Sequence, residues 1–244
     1  MFGRALVARA TPTVTGDGVN VRAHHGSLLG VAIRMWLWRR DAHSASTASP
    51  AVEAGRSSRR LDAMPCRYRS YAQVVAEMYS LAAARPALAR LWSTQERYGL
   101  PSVGSCHGTP CMNWVLELTE HESLANDPDR PDVLISGALH GDERVGPTAT
   151  LELARWLLLS ESPWAHRLLR TRRILLVPLT NAVGYARGTR NEAGHDPNRD
   201  FSYQQRPDAC MLTVAGRSVN ELMRHHLVQL IVTFHGGMQV HELP

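Results

Sequence analysis

Apolar side chains at Val74, Val75, Met78, Leu81 and Ala82 recur at three- and four-residue intervals. That spacing places one face of an α-helix against a core. Pro86 ends this helix or opens the next element, because it lacks the amide hydrogen that a helix interior needs. The period then changes. Trp114, Leu116 and Leu118 alternate with Val115, Glu117 and Thr119, the two-residue repeat of a strand. Three further apolar runs, around 132–139, 173–179 and 230–235, are short and β-branched and read as buried strands. Between them, 146–160 (with Pro147 in its first turn) and 218–229 read as helices. Alternation of this kind predicts an α/β domain built on a largely buried sheet.

The first 62 residues lack such a pattern and are expected to be a disordered or targeting arm, with the folded domain spanning 63–244. Residues 43–60 are rich in Ser, Ala and Arg, a linker composition. The apolar stretch 27–40 is broken by Arg34 and too short for a confident membrane span; it fits a late signal-peptide region, a signal anchor, or part of an Arg-rich transit peptide. The compartment therefore stays open between secreted or endomembrane and cytoplasmic.

Charge narrows the function classes. Nine arginines in 1–62 stand against Asp17, Asp41, Glu53 and Asp62, which accounts for the whole net charge of +5. The rest is near neutral and has no basic patch interleaved with aromatics, so no nucleic-acid partner is expected. Of the four cysteines, Cys66, Cys106, Cys111 and Cys210, the pair Cys106 and Cys111 flanks Gly108 and Pro110. It reads either as a small disulfide loop in an exported protein or as two thiols in a cytosolic one.

The candidate chemistry gathers where apolar runs stop. The strand ending near Ala138 runs into His140-Gly141-Asp142-Glu143. An imidazole and a carboxylate three residues apart in a tight turn can face one metal ion. Gly141 lets that turn form without steric cost. A second strand end carries Phe234-His235-Gly236-Gly237, and His235 would complete a two-histidine, one-carboxylate set. Between them, Asp196-Pro197-Asn198-Arg199 places an amide beside a guanidinium, a pair suited to gripping a carboxylate. Arg187 could stabilise a developing oxyanion, whereas Arg190 reads as a surface ion-pairing residue. Each piece alone has a plainer reading, as a polar turn, a core histidine or a turn residue.

Taken in order, His140-x-x-Glu143, Arg187, Asn198-Arg199 and His235 resemble the signature of the zinc metallocarboxypeptidases. The segments SGALHGDERVGP and GHDPNRDF carry the likeness, and TFHGG is similar to the branch of that family found in single-celled eukaryotes. The likeness covers roughly residues 67–237. It implies a mixed, mostly parallel sheet with helices on both faces. It also implies Zn²⁺ held by His140, Glu143 and His235, and a peptide or protein C-terminus as substrate gripped by Asn198 and Arg199. Arg187 would assist the scissile carbonyl, and Asp142 would orient a ligand histidine. Asn181-Ala182 stands where Asn-Pro is more usual, a mild pointer to a related zinc amidohydrolase acting on N-acyl amino acids. A non-catalytic remnant serving as a binding module is the third reading. The family's glutamate base lies well beyond the third ligand, and Glu242 is too near His235 to be it. On this reading the chain as written has no general base, is C-terminally truncated, binds zinc weakly and is catalytically dead or nearly so.

Overall fold

The computed structural model describes residues 68–202 and 206–236, together with two strands in the first part of the chain, Pro12–Thr15 (β1) and Gly18–Val21 (β2). β1 and β2 pair antiparallel, with Pro12 opposite Val21 and Thr15 opposite Gly18. The Ser/Ala/Arg stretch 43–60, the apolar stretch 27–40, Cys66 and Glu242 lie outside the described residues. Among the described residues no helix is long and apolar enough to cross a membrane.

The helix expected from the first periodic stretch is α1, Tyr71–Ala84. Ser70 caps it, accepting from the Gln73 amide while the Gln73 side chain accepts from the Ser70 amide. This reciprocal box satisfies two donors that a helix start otherwise leaves bare. Tyr71, Val74, Met78 and Leu81 are its buried face.

A five-stranded sheet follows, formed by Ala89–Ser93 (β3), Trp114–Leu118 (β6), Arg173–Val177 (β8), Asp132–Ser136 (β7) and Val228–Thr233 (β9) in that spatial order. The remaining strands, Ser105–Cys106 (β4) and Thr109–Pro110 (β5), make a separate small hairpin. The sheet is mixed, as expected, but evenly so. β3–β6 and β6–β8 are antiparallel, whereas β8–β7 and β7–β9 are parallel. The expectation of a mostly parallel sheet missed β3, which starts at the end of an Ala-rich run, 82–89, that continues the helical composition of α1 past Pro86.

Both sheet faces are covered, which explains the near-continuous apolar runs. Leu116, Leu118, Ile135, Ile174 and Leu176 point to the face carrying α1, Val145–Leu159 (α4) and Pro163–Thr171 (α5). Val115, Leu134, Leu175 and Val177 point the other way, against Val219 and Leu222 of Val214–His225 (α7). Two short helices, Thr94–Tyr98 (α2) and His121–Leu124 (α3), follow β3 and β6.

At the base of β7, Asp132 is fully buried and takes two hydrogen bonds from Arg173, at 2.7 and 2.6 Å. Burial alone would raise this carboxyl, but His226 and Arg173 outweigh it and hold it below the ordinary aspartate range. A carboxyl whose folded pKa is depressed adds stability above its unfolded pKa. That stability is lost as pH falls through the folded value. Urea midpoints measured from neutral pH down to about pH 3 are therefore expected to fall more steeply for the wild-type chain than for Asp132→Asn.

Cys106 and Cys111 are joined by a disulfide, with Cα atoms 5.0 Å apart. The bond clasps the β4–β5 hairpin beside the short helix Ala182–Arg187 (α6), whose Ala182 carbonyl faces Cys106 Sγ. Replacing both cysteines by alanine is expected to lower unfolding stability by about 2 kcal/mol, the loop-closure cost for so short a loop, read as a shift in denaturant midpoint.

Candidate metal centre

Strands β7, β8 and β9 run parallel and end at one level, with Ser136 opposite both Val177 and Thr233. Everything that follows these strands therefore opens onto one end of the sheet, where open α/β sheets gather their sites. Ser136 Oγ donates to Thr233 Oγ1 at 3.0 Å, and the Phe234 amide donates to the Ser136 carbonyl at 2.9 Å. These bonds carry the chain leaving β9 alongside the chain leaving β7.

After β7, Ala138 is fully buried with φ +47°, a left-handed conformation that is uncommon for a residue with a side chain. The Asn181 amide donates to its carbonyl at 2.9 Å. This turn delivers His140 and Glu143. Gly141 is needed for a different reason from the one its sequence context suggests. Its φ is not in the left-handed region; instead, a Cβ there would lie 2.1 Å from the Gly184 carbonyl carbon and 2.3 Å from the Tyr185 nitrogen. The turn thus packs backbone to backbone on α6.

The three expected ligands converge. Donor atoms of His140, Glu143 and His235 all lie within 4.8 Å of one another. Glu143 sits between the rings, with one carboxylate oxygen 2.8 Å from His140 Nδ1 and the other 2.8 Å from His235 Nδ1. The Gly236 amide also donates to Glu143, at 3.2 Å. His140 is buried, while Glu143 and His235 are half-buried, so the cluster is reachable from one side.

Asp196, rather than Asp142, is the acceptor behind His140. Its Oδ1 lies 2.9 Å from His140 Nε2, whereas Asp142 is exposed. A proton on Nε2 shared with Asp196 leaves Nδ1 with the lone pair that a metal ion requires. Burial pushes the Asp196 carboxyl up, but the Asn198 amide, His140 and Arg190 hold it below its ordinary range. Two nitrogens and one carboxylate, converging with one histidine oriented from behind, are a donor set that fits Zn²⁺ with a position left open.

Arg190 also belongs here. It reaches Glu143 at 3.4 Å and Asp196 at 3.3 Å, and its carbonyl accepts from the Gly141 amide and from Asn181 Nδ2. The geometry does not bring Arg187 to the cluster. Its side chain lies against Gly104 and lines a cavity of about 300 Å³ with Val183, Thr189, Asn191, Ala193 and Gly194. Asn198 and Arg199 sit on the turn Pro197–Arg199, next to Asp196, which caps that turn by accepting from the Asn198 amide. The available signal for Asp196 was this capping position: an aspartate before Pro has its carboxylate folded over the turn that carries Asn198. The contact of Arg190 with Glu143 spans 47 residues and leaves no local trace.

A mixed sheet thus carries, at the ends of its parallel strands, two histidines and one carboxylate that could hold a single metal ion. The model of the zinc carboxypeptidase family matches residues 105–244, and the chain belongs to that family. It is 30% identical over 204 residues to carboxypeptidase D of Homo sapiens, covering 67% of this chain and 14% of that protein. It is 29% identical over 152 residues to carboxypeptidase SOL1 of Arabidopsis thaliana, covering 59% of this chain and 30% of that protein. In structure it is similar to carboxypeptidase A of Helicoverpa armigera, with a TM-score of 0.56 at 19% identity over 70% of this chain and 46% of that one. The chain thus spans less than half the length of each of these three proteins.

Proposed function

We propose that this chain carries the metal-binding and substrate-carboxylate-binding part of a zinc-dependent carboxypeptidase that acts on peptide C-termini. The observation that carries the reading is the meeting of His140 Nδ1 and His235 Nδ1 on the two oxygens of Glu143, with Asp196 behind His140.

In this reading His140, Glu143 and His235 hold the ion. When bound, zinc supplies a Lewis acid for the scissile carbonyl and makes water acidic enough to attack near neutral pH. Asp196 keeps the proton on His140 Nε2, so that Nδ1 stays available as a donor atom. Asn198 and Arg199 grip the free C-terminal carboxylate of the substrate and so fix which bond is presented. Arg190 takes the carbonyl-polarising role first expected of Arg187. Its support is the guanidinium held against Glu143 and Asp196, where a cation can meet charge developing on the carbonyl oxygen. The two carboxylates of the cluster, Glu143 and Asp196, are both engaged, so neither serves as a general base.

The test is binding rather than turnover. With zinc present, calorimetry should show a blocked tripeptide with a free C-terminus binding about tenfold or more tighter than its C-terminal amide, since the amide cannot form the charged bonds to Arg199. Equal binding of acid and amide overturns the reading. Binding of an N-acyl amino acid without the peptide assigns the amidohydrolase chemistry instead.

A further inference from the structure

The first-turn amides of α7 have an unusual set of acceptors. Thr213, the residue before the helix, caps it in the ordinary way, its Oγ1 accepting from the Gly216 amide at 2.9 Å. The Val214 and Ala215 amides, and the Leu212 and Thr213 amides just before the helix, are claimed from a distant segment. Glu192 accepts from the Val214 and Ala215 amides through its two oxygens. Asp200 accepts from the Leu212 and Thr213 amides and from Thr213 Oγ1, at 2.7, 2.7 and 2.6 Å. Both carboxylates are only 3% exposed. Burial and the nearby Asp200 charge raise the Glu192 carboxyl, so its ionised form depends on those amide bonds.

Glu192 and Asp200 bracket Asp196, Asn198 and Arg199. Glu192 and His195 also exchange backbone bonds at 3.0 and 2.9 Å around Ala193 and Gly194, at φ +49° and +88°, a tight turn that costs a side-chain-bearing residue strain. Strain of that kind persists only where the surroundings fix it. α7 is a firm base for this purpose: its Val219 and Leu222 pack on the sheet, and its Ser218 Oγ lies 2.8 Å from Thr94 Oγ1.

We propose that Glu192 and Asp200 are positioning residues that latch the 190–201 loop to the N-terminus of α7, and thereby set where Asn198, Arg199 and Asp196 stand relative to the metal ligands. A helix that needed only a cap has one in Thr213. Two carboxylates reaching in from either side of the loop act on the loop. The functional half of this proposal rests on the reading that Asn198 and Arg199 grip a substrate carboxylate.

The experiment compares the full chain with Glu192→Gln and Asp200→Asn, each nearly isosteric but unable to accept at both oxygens. Val214→Pro is the third variant; it removes one latch donor from the helix side, at the position where proline is best tolerated. Ser93→Ala, which removes the cap of α2, controls for general destabilisation. Amide hydrogen exchange over 189–201 is expected to quicken about tenfold or more in the three latch variants, with β7 and β8 unchanged, and to stay put in the control. In zinc-loaded chains the acid-over-amide peptide preference should fall about tenfold or more. Unchanged loop exchange in a folded latch variant overturns the proposal, as does faster exchange with the preference intact. If the wild-type chain shows no preference, the substrate reading fails, while loop exchange still decides the latch. Should both carboxylate variants fail to fold, Val214→Pro carries the same two readouts.

Discussion

His140→Ala is expected to lower zinc affinity by on the order of a thousandfold or more, whereas Asp196→Asn lowers it by about 10- to 100-fold. The two differ because of what each removes. His140→Ala deletes one of three converging donors and leaves two that cannot close a site. It also strands the Asp196 carboxylate, which loses its imidazole partner. Asp196→Asn keeps an oxygen that can accept from Nε2–H but loses the charge that makes Nδ1 a stronger donor. Competition against a chromophoric chelator measures both, with denaturant midpoints confirming that the variants fold. Wild-type affinity in folded His140→Ala removes His140 from the ligand set. Equal losses in the two variants make Asp196 a ligand rather than a support.

The second large effect belongs to a residue with no chemistry of its own. Gly141→Ala is expected to cost about 3 kcal/mol or more and to abolish metal binding. The added methyl would stand 2.1 and 2.3 Å from backbone atoms of Gly184 and Tyr185 and 2.5 Å from the Thr189 carbonyl. None of these is the end of a flexible side chain, so relief requires the His140–Glu143 turn and α6 to separate. Separation would break the Gly141 amide bond to the Arg190 carbonyl and carry Arg190 away from Glu143. Urea unfolding and zinc titration of the same sample test the two parts of this expectation. A stable Gly141→Ala chain with normal zinc affinity would falsify it.

Much of this was legible in the sequence, and the reason is local. The periods that named α1, α4, α7 and strands β6, β7, β8 and β9 come from side chains that must all face one way, and such patterns survive in a linear string. The three candidate metal donors, His140, Glu143 and His235, were readable because each follows an apolar run that stops abruptly. What escaped was set by distance or by short length. β3 hides in an Ala-rich stretch and gains its identity only by pairing with β6. α5 and α6, nine and six residues long, were not anticipated. Arg187 and Arg190 are three residues apart and chemically alike, yet α6 ends at Gly188 in a left-handed conformation, and that turn sends them to different places. Asp142 and Asp196 were confused likewise: the nearer aspartate in sequence is not the nearer one in space.

The pairing of β7 with β9 has a consequence for the order of events during synthesis. His140 and Glu143 emerge from the ribosome long before His235, since the contact between Glu143 and His235 spans 92 residues. Strand β8 can dock on β7 and β6 in the meantime, so four of the five strands and the latch partners upstream of α7 can exist with only two donors in place. If His140, Glu143 and His235 hold the ion as proposed, a nascent chain is expected to be a poor competitor for zinc until β9 has settled against β7. Metal capture then becomes a late, switch-like report that the longest-range strand pairing has formed, and premature metal or a stalled chain should leave the ion weakly held.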